Sequence, residues 1–285
     1  MNPVTSSATL SDQTRMGAAT FAVADLQRSL NFYQGKLGFH LLQSSDHSAT
    51  IGAPDAPLLH LQAIPDAVRQ PRHSTGLFHA AILLPSRHDL GRFVLHLHAQ
   101  GIHFGSADHL VSEAFYLDDP DGNGLEVYRD RPRSEWKWEN STVAMANAPI
   151  DFERLLQGVQ ASEWQGIPTG TTIGHMHLRV HNLAAAEAFY VDLLGFSVAA
   201  RWPGALFIAA GGYHHHLGLN TWQSAGAPPP PANSVGLRES IIHVGGPAEI
   251  ERLAERLRAA GYALEQADDG LTLRDPSSTA LRLLP

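Results

Sequence analysis

Cysteine is absent from all 285 residues. Disulfides and thiolate metal ligands are therefore excluded, and any bound metal must be held by His, Asp or Glu. No apolar run approaches the roughly 20 residues a helix needs to cross a bilayer. Long basic runs are missing too, and the net charge is −8. Phosphate binding needs clustered Lys and Arg, so nucleic acid is not the expected partner. The stretch Met1–Arg15 is polar and rich in Ser and Thr, with no signal-peptide core. It reads as a flexible lead-in to a soluble, cytoplasmic protein. What is present is a 44% apolar content, enough for a full core, and 17 His residues that make an oxygen- and nitrogen-ligated metal feasible.

Internal repeats fix the architecture. Asp25–Phe39 aligns without gaps on Asn182–Phe196, sharing Leu, Phe, Tyr, Leu, Gly and Phe. Gly76–Gly101 aligns equally well on Gly236–Gly261. Each pair reads as an apolar strand, an amphipathic helix and a terminating Gly. The strands are expected at Ala18–Val23, Ala80–Leu84, Ile173–Val180 and Ser240–Val244, and the second and fourth helices at Arg87–Gln100 and Ala248–Ala260. Three short strand-like runs follow each helix. They are expected at Phe39–Gln43, Ala49–Ile51 and Leu58–Ala63, then at Ile102–Phe104, Ala114–Leu117 and Gly124–Tyr128. In the second half they fall at Ser197–Arg201, Ala205–Ala209 and His216–Thr221, then at Ala263–Ala267, Gly270–Arg274 and Leu281–Leu284. The unit is strand–helix–three strands, four times over, in an α+β chain. Asp119-Pro120 and Asp275-Pro276 mark the same turn in modules two and four. Modules one and two span 16–131, and modules three and four span 170–285. The segment 132–169 breaks the rhythm, with Trp136, Trp138, Pro149, Pro168 and a short helical run at Phe152–Gln157, and reads as a linker. Pro228–Pro231 reads as an exposed extended loop.

The first strand of module three alternates His175, His177 and Arg179 with Met176, Leu178 and Val180. Period-two alternation marks a half-buried strand, and its two imidazoles on one face suggest a lined cavity.

Four such modules resemble the vicinal oxygen chelate superfamily, which includes glyoxalase I, bleomycin-resistance proteins and type I extradiol dioxygenases. The resemblance implies two glyoxalase-like domains built from βαβββ modules, with metal ligands on the first and last strands of modules. The repeats align four first-strand positions: Ala18, His79, His175 and Glu239. Glu126 and Arg282 are aligned on last strands. Ala18 cannot bind a metal, and Arg282 would repel one. Modules two and three instead supply His79, Glu126 and His175, the two-imidazole, one-carboxylate set of non-heme Fe(II) oxygenases. His177 competes with His175 for the ligand role, and repeat register favours His175.

The run Ser106–Tyr128 is similar to the C-terminal signature of catechol 2,3-dioxygenases. Tyr116 lies ten residues before Glu126 and Asp108 eighteen before it, as in that motif. Tyr213-His-His-His216-Leu resembles the family's paired-His segment, which supplies the acid/base His. His216 matches best, with His215 close behind. What the resemblance implies is an Fe(II) enzyme, with Mn(II) as the alternative ion, that opens catechol or a substituted catechol next to the diol with O2. His216 would exchange a substrate proton, Tyr116 would hydrogen-bond the ring-bound substrate, and Asp108 and His109 would orient the site. The metal would lie between modules two and three, a permutation of the better-known enzymes. The family's other active-site His falls on Gly105, with His103 and His109 nearby. The resemblance further implies a cytoplasmic homo-oligomer of aromatic-hydrocarbon catabolism. A glyoxalase-type metal isomerase and a non-catalytic, bleomycin-resistance-like binding protein are the alternative readings.

Overall fold

The computed structural model describes residues 9–160, 164–267 and 269–285. Residues 1–8 of the polar lead-in and residues 161–163 of the linker lie outside them. Module one comprises β1 (Arg15–Val23), α1 (Leu26–Tyr33), β2 (His40–Ser44), β3 (Ser48–Ala53) and β4 (Ala56–Ala63). Module two comprises β5 (Gly76–Leu83), α2 (Arg87–Ala99), β6 (Gly105–Asp108), β7 (Ser112–Asp118) and β8 (Gly124–Asp130). The intervening segment holds a small hairpin, β9 (Trp138–Glu139) and β10 (Thr142–Val143), and helix α3 (Phe152–Leu156). Module three comprises β11 (Thr172–Arg179), α4 (Leu183–Glu187) continuing into a π-helical stretch at Ala188–Leu193, β12 (Ser197–Trp202), β13 (Ala205–Ala209) and β14 (Leu217–Asn220). Module four comprises β15 (Gly236–His243), α5 (Pro247–Ala259), β16 (Glu265–Ala267), β17 (Gly270–Arg274) and β18 (Ala280–Leu284).

Local chemistry sets these boundaries. Asp25, Ser86 and Asn182 each precede a helix and accept a hydrogen bond from the backbone N–H three residues on, which satisfies one of the helix's orphan donors. Strand β6 begins at Gly105 rather than at the expected Ile102. Gly101 sits at φ +64° and Ile102 donates its N–H to Leu97 O at 3.0 Å. That bond closes the C-terminus of α2, so Ile102 is spent on the helix cap instead of the ladder. Module four repeats the device: Tyr262 donates to Leu257 O at 3.0 Å beyond Gly261, and β16 starts at Glu265 rather than at Ala263. The two aligned helices of modules one and three also end alike. Leu37 bonds Phe32 O and Leu194 bonds Phe189 O, five residues back in each case.

Two eight-stranded sheets result, and each takes one module from each half of the chain. The first runs β16-β17-β18-β15-β1-β4-β3-β2 and joins modules four and one. The second runs β12-β13-β14-β11-β5-β8-β7-β6 and joins modules three and two. The central strands meet antiparallel, β1 on β15 and β11 on β5. The sheets pack on one another through these centres, β1 against β11 and β15 against β5. One continuous apolar core fills the interface and the undersides of the helices, with Phe21, Tyr33, Phe93, Met176, Leu178, Tyr190 and Leu253 among its members. Two buried bonds tie the sheets together: Tyr33 donates to Asp119 Oδ2 and Tyr190 donates to Asp275 Oδ2, each at 2.9 Å. Both acceptors are the Asp of an Asp-Pro turn. Among the described residues no helix is long and apolar enough to cross a membrane.

Candidate metal centre

Strand β5 lies between β8, its parallel neighbour, and β11, its antiparallel one. Period-two alternation then sends Met176 and Leu178 of β11 into the core and leaves His175 and His177 on the opposite face. His79 of β5, Glu126 of β8 and His175 of β11 converge there. Their donor atoms all lie within 4.8 Å of one another, and all three side chains are buried. Glu126 Oε2 lies 2.9 Å from His79 Nε2 and 3.2 Å from His175 Nε2.

His79 Nε2 is buried and has no hydrogen-bond partner, despite its nearness to Glu126. A buried polar nitrogen left this way is costly unless something completes it. Two imidazole nitrogens and one carboxylate oxygen aimed at a common point suit a divalent transition metal, so the donor set fits such an ion. The protonation states agree. Burial lowers the pKa of His175 to about 4, so its ring is neutral near pH 7. Burial alone would raise the Glu126 carboxyl, but His175 and then His79 outweigh it and hold it well below the usual carboxylate range. The cluster therefore offers a neutral nitrogen at His175 and a full negative charge at Glu126, beside the His79 nitrogen.

His177 is not in the three-donor group. It faces His79 directly across the β5–β11 ladder. Its ring packs against Phe78 and His79, both with centroids 4.9 Å away, and against Trp222 at 5.6 Å. Gly218 makes room for it, since a Cβ there would stand 2.9 Å from the imidazole.

His215 stacks on His175 with centroids 4.1 Å apart and lines the cavity. His216, the residue favoured from the sequence, does not. Its Nδ1 accepts the Ala210 N–H, and its ring lies 4.9 Å from that of Tyr213. Gly211 and Gly212, at φ +60° and +63°, set this turn and decide which of the consecutive histidines faces inward. A chain of contacts then fixes the His215 tautomer. The Asp130 carboxylate can only accept, so His214 Nε2 donates to it at 2.7 Å. In the neutral form of His214, Nδ1 is the acceptor for His215 Nδ1, also at 2.7 Å. The Nε2 of neutral His215 is left as a base. Tyr213 donates to the other oxygen of Asp130 at 2.9 Å and receives a bond from Tyr128 at 2.8 Å. The Tyr128 ring rests 4.9 Å from that of His175, and Gly174 is needed beside it, because a Cβ there would lie 1.8 Å from the phenol oxygen.

Tyr116 and His109 are joined. His109 Nδ1 donates to Ala146 O at 2.8 Å, and in the neutral form of the ring Nε2 accepts the Tyr116 hydroxyl at 2.6 Å. Burial, and then Glu126, raise the Tyr116 pKa well above its ordinary value, so this phenol stays protonated. Asp108 is set apart from the cavity. It pairs with Arg131 at 2.6 Å and accepts the Leu110 N–H at 2.9 Å.

His79, His109, Tyr116, Glu126, His175 and His215 line a cavity of about 1120 Å³. The segment read as a linker contributes Met145, Pro149, Ile150 and Phe152 to the same lining. Its Trp and Pro content was the one hint that it carried more than a connection. Asp130, Tyr128 and Tyr213 were not singled out from the sequence; the alternation that marked Glu126 also placed Tyr128 and Asp130 on its face.

A model of the Glyoxalase/Bleomycin resistance protein/Dioxygenase superfamily matches residues 15–127 and 172–273. The chain is 42% identical over 274 residues to a catechol-2,3-dioxygenase of Bacillus subtilis (strain 168), covering 94% of this chain and 96% of that protein. In fold it resembles glyoxalase I from Zea mays, with a TM-score of 0.57 at 16% identity, covering 95% of this chain and 92% of the other. It also resembles the cppA protein from Streptococcus pneumoniae TIGR4, with a TM-score of 0.56 at 10% identity, covering 95% and 98%.

Proposed function

The chain belongs to the glyoxalase/bleomycin resistance protein/dioxygenase superfamily, and on that footing we propose that it is an extradiol dioxygenase, an Fe(II) enzyme that opens a catechol ring beside the diol with O2. The observation that carries this reading is the convergence of His79, Glu126 and His175 in the wall of a large cavity. The 42% identity to a catechol-2,3-dioxygenase supports the same chemistry. A glyoxalase-like isomerase finds less support, because the cluster contains a single carboxylate and the likeness to glyoxalase I is one of fold.

His79, Glu126 and His175 would hold Fe(II), with Mn(II) the alternative. When bound, the metal supplies Lewis acidity toward a chelated diol and one-electron chemistry toward dioxygen. The protein's own groups do the rest. His215, kept neutral by burial and poised with Nε2 free, accepts the substrate's hydroxyl proton and can return it. The carboxylate of Asp130 steadies the charge that His215 then carries, through His214. Tyr116 keeps its proton and shares it with His109 Nε2, which leaves the phenol oxygen as a neutral partner for the bound ring. Asp108 acts through Arg131 and the backbone at Leu110 to hold the loop that carries His109. Such an activity belongs to aromatic-ring breakdown.

Anaerobic loading with Fe(II), elemental analysis and a catechol assay that follows the yellow ring-opened product test the proposal. Fe(II)-loaded protein should form that product, and Glu126→Ala should retain no stoichiometric metal and lose activity by about 100-fold or more, as expected when a ligand and its charge are both removed. Tightly held Zn(II) or Ni(II) with no yellow product would overturn it.

A further inference from the structure

The cavity is much larger than one six-membered ring with two hydroxyls requires. At about 1120 Å³ it lies just above the ~300–1,000 Å³ typical of small-molecule sites. Its lining contains no Lys or Arg, and its acids are Glu126 and Asp118. A carboxylate on the substituent would thus meet no cationic side chain to pair with, at a cost of desolvation that no such pairing offsets.

The walls next to the metal cluster are aromatic. Phe78 packs on His79 at 5.4 Å, Phe207 on His215 at 5.1 Å, and Trp222 on Phe78 at 5.5 Å. Trp222 is 46% exposed, so it is not held for the core's sake. It is nevertheless anchored: its Nε1 donates to Pro203 O at 2.9 Å, and Gly204, at φ +73°, leaves space that a Cβ would take from the indole. Phe152, 40% exposed, also borders the cavity. Two exposed aromatic rings bordering a cavity that has no cationic side chain in its lining are a surface for an apolar group to pack against.

We propose that the site selects catechols carrying a bulky, uncharged apolar substituent, an aryl group above all, and rejects carboxylated catechols. The inference rests on the dioxygenase reading for the diol end alone; the substituent end is argued from the cavity. A phenyl group placed against Phe78, Trp222 and Phe207 gains edge and face contacts and leaves water, whereas unsubstituted catechol leaves that part of the cavity hydrated.

The test is anaerobic binding to the Fe(II)-loaded protein, read by quenching of tryptophan fluorescence, with catechol, 3-phenylcatechol, 4-phenylcatechol and 3,4-dihydroxybenzoate as probes. At least one phenylcatechol should bind about tenfold or more tightly than catechol, and 3,4-dihydroxybenzoate about tenfold or more weakly. Trp222→Ala should cut the phenyl-to-catechol preference by about fivefold. Trp222→Arg should bind the benzoate better than Trp222→Ala does, a gain that misfolding cannot imitate. Equal affinities for catechol and both phenylcatechols, or tighter binding of the benzoate, would overturn the inference. Tight phenylcatechol binding without ring cleavage of any probe would overturn the oxygenase reading and leave this one standing. Cleavage of catechol without aryl preference would do the reverse.

Discussion

Asp130 fixes where two protons sit. With its carboxylate accepting from His214, the arrangement that keeps both imidazoles neutral puts a proton on His215 Nδ1 and leaves Nε2 bare. Asp130→Asn can present an N–H to His214 and reverse that order. We expect kcat to fall by about 10–100-fold, the usual cost of losing an orienting partner, while metal content stays that of the parent. An unchanged kcat at full metal loading would remove Asp130 from the mechanism. His216 has a different consequence. Burial, and next the neighbouring His214, hold its pKa at about 4 against an ordinary 6.5. Between those values the unfolded chain binds more protons than the fold, so stability rises with pH through the window and falls as pH drops. From pH 7 to pH 5 this one ring should remove about 2 kcal/mol. Urea unfolding at the two pH values should show that drop, and His216→Asn should shrink it; an equal drop in the variant would show that other groups are responsible.

At the scale of elements, the Asp-Pro turns act as cross-braces. Asp119 and Asp275 are raised by burial, so each needs every donor that reaches it. Asp119 accepts from Tyr33, Asn123 and the Asp121 N–H, and Asp275 from Tyr190 and the Ser277 and Thr279 N–H groups. Tyr33→Phe and Tyr190→Phe should each cost about 1–3 kcal/mol, the penalty for leaving a buried acceptor short of a donor. The check is a lower urea midpoint at unchanged m-value. The repeat predicts similar losses in the two variants, and a loss in one alone would break that equivalence. The aligned positions of Tyr33 and Tyr190 were visible as a shared Phe-Tyr in the sequence, and so were the two Asp-Pro pairs. That they bond each other was not, because the bond spans 86 residues in one half and 85 in the other.

For the whole molecule, the decisive fact is that the two modules of one half of the chain do not share a sheet. The candidate metal cluster draws His79 and Glu126 from the first half and His175 from the second. A fragment of residues 9–131 would carry β1 and β5 without the strands they pair with, β15 and β11. Two open sheet centres of this kind invite self-association. Sedimentation of that fragment should show oligomers or aggregates, and metal titration should show affinity at least about tenfold below the full chain, since one of three ligands is gone. A monomeric fragment with full-chain affinity would contradict the interleaved architecture.

The sequence by itself determined the four modules, the helices and most strands, because apolar period and terminal glycines are local properties. It also singled out His79, Glu126 and His175, since repeat register puts each at the same place on its strand and alternation puts it on the face away from the core. Tertiary structure decided the rest. Which modules share a sheet depends on pairing between strands far apart in sequence. That residues 145–152 wall the cavity depends on where a non-repetitive segment comes to rest. His215 rather than His216 faces the cavity because two left-handed glycines set the turn, and in three consecutive histidines no period exists to reveal that direction.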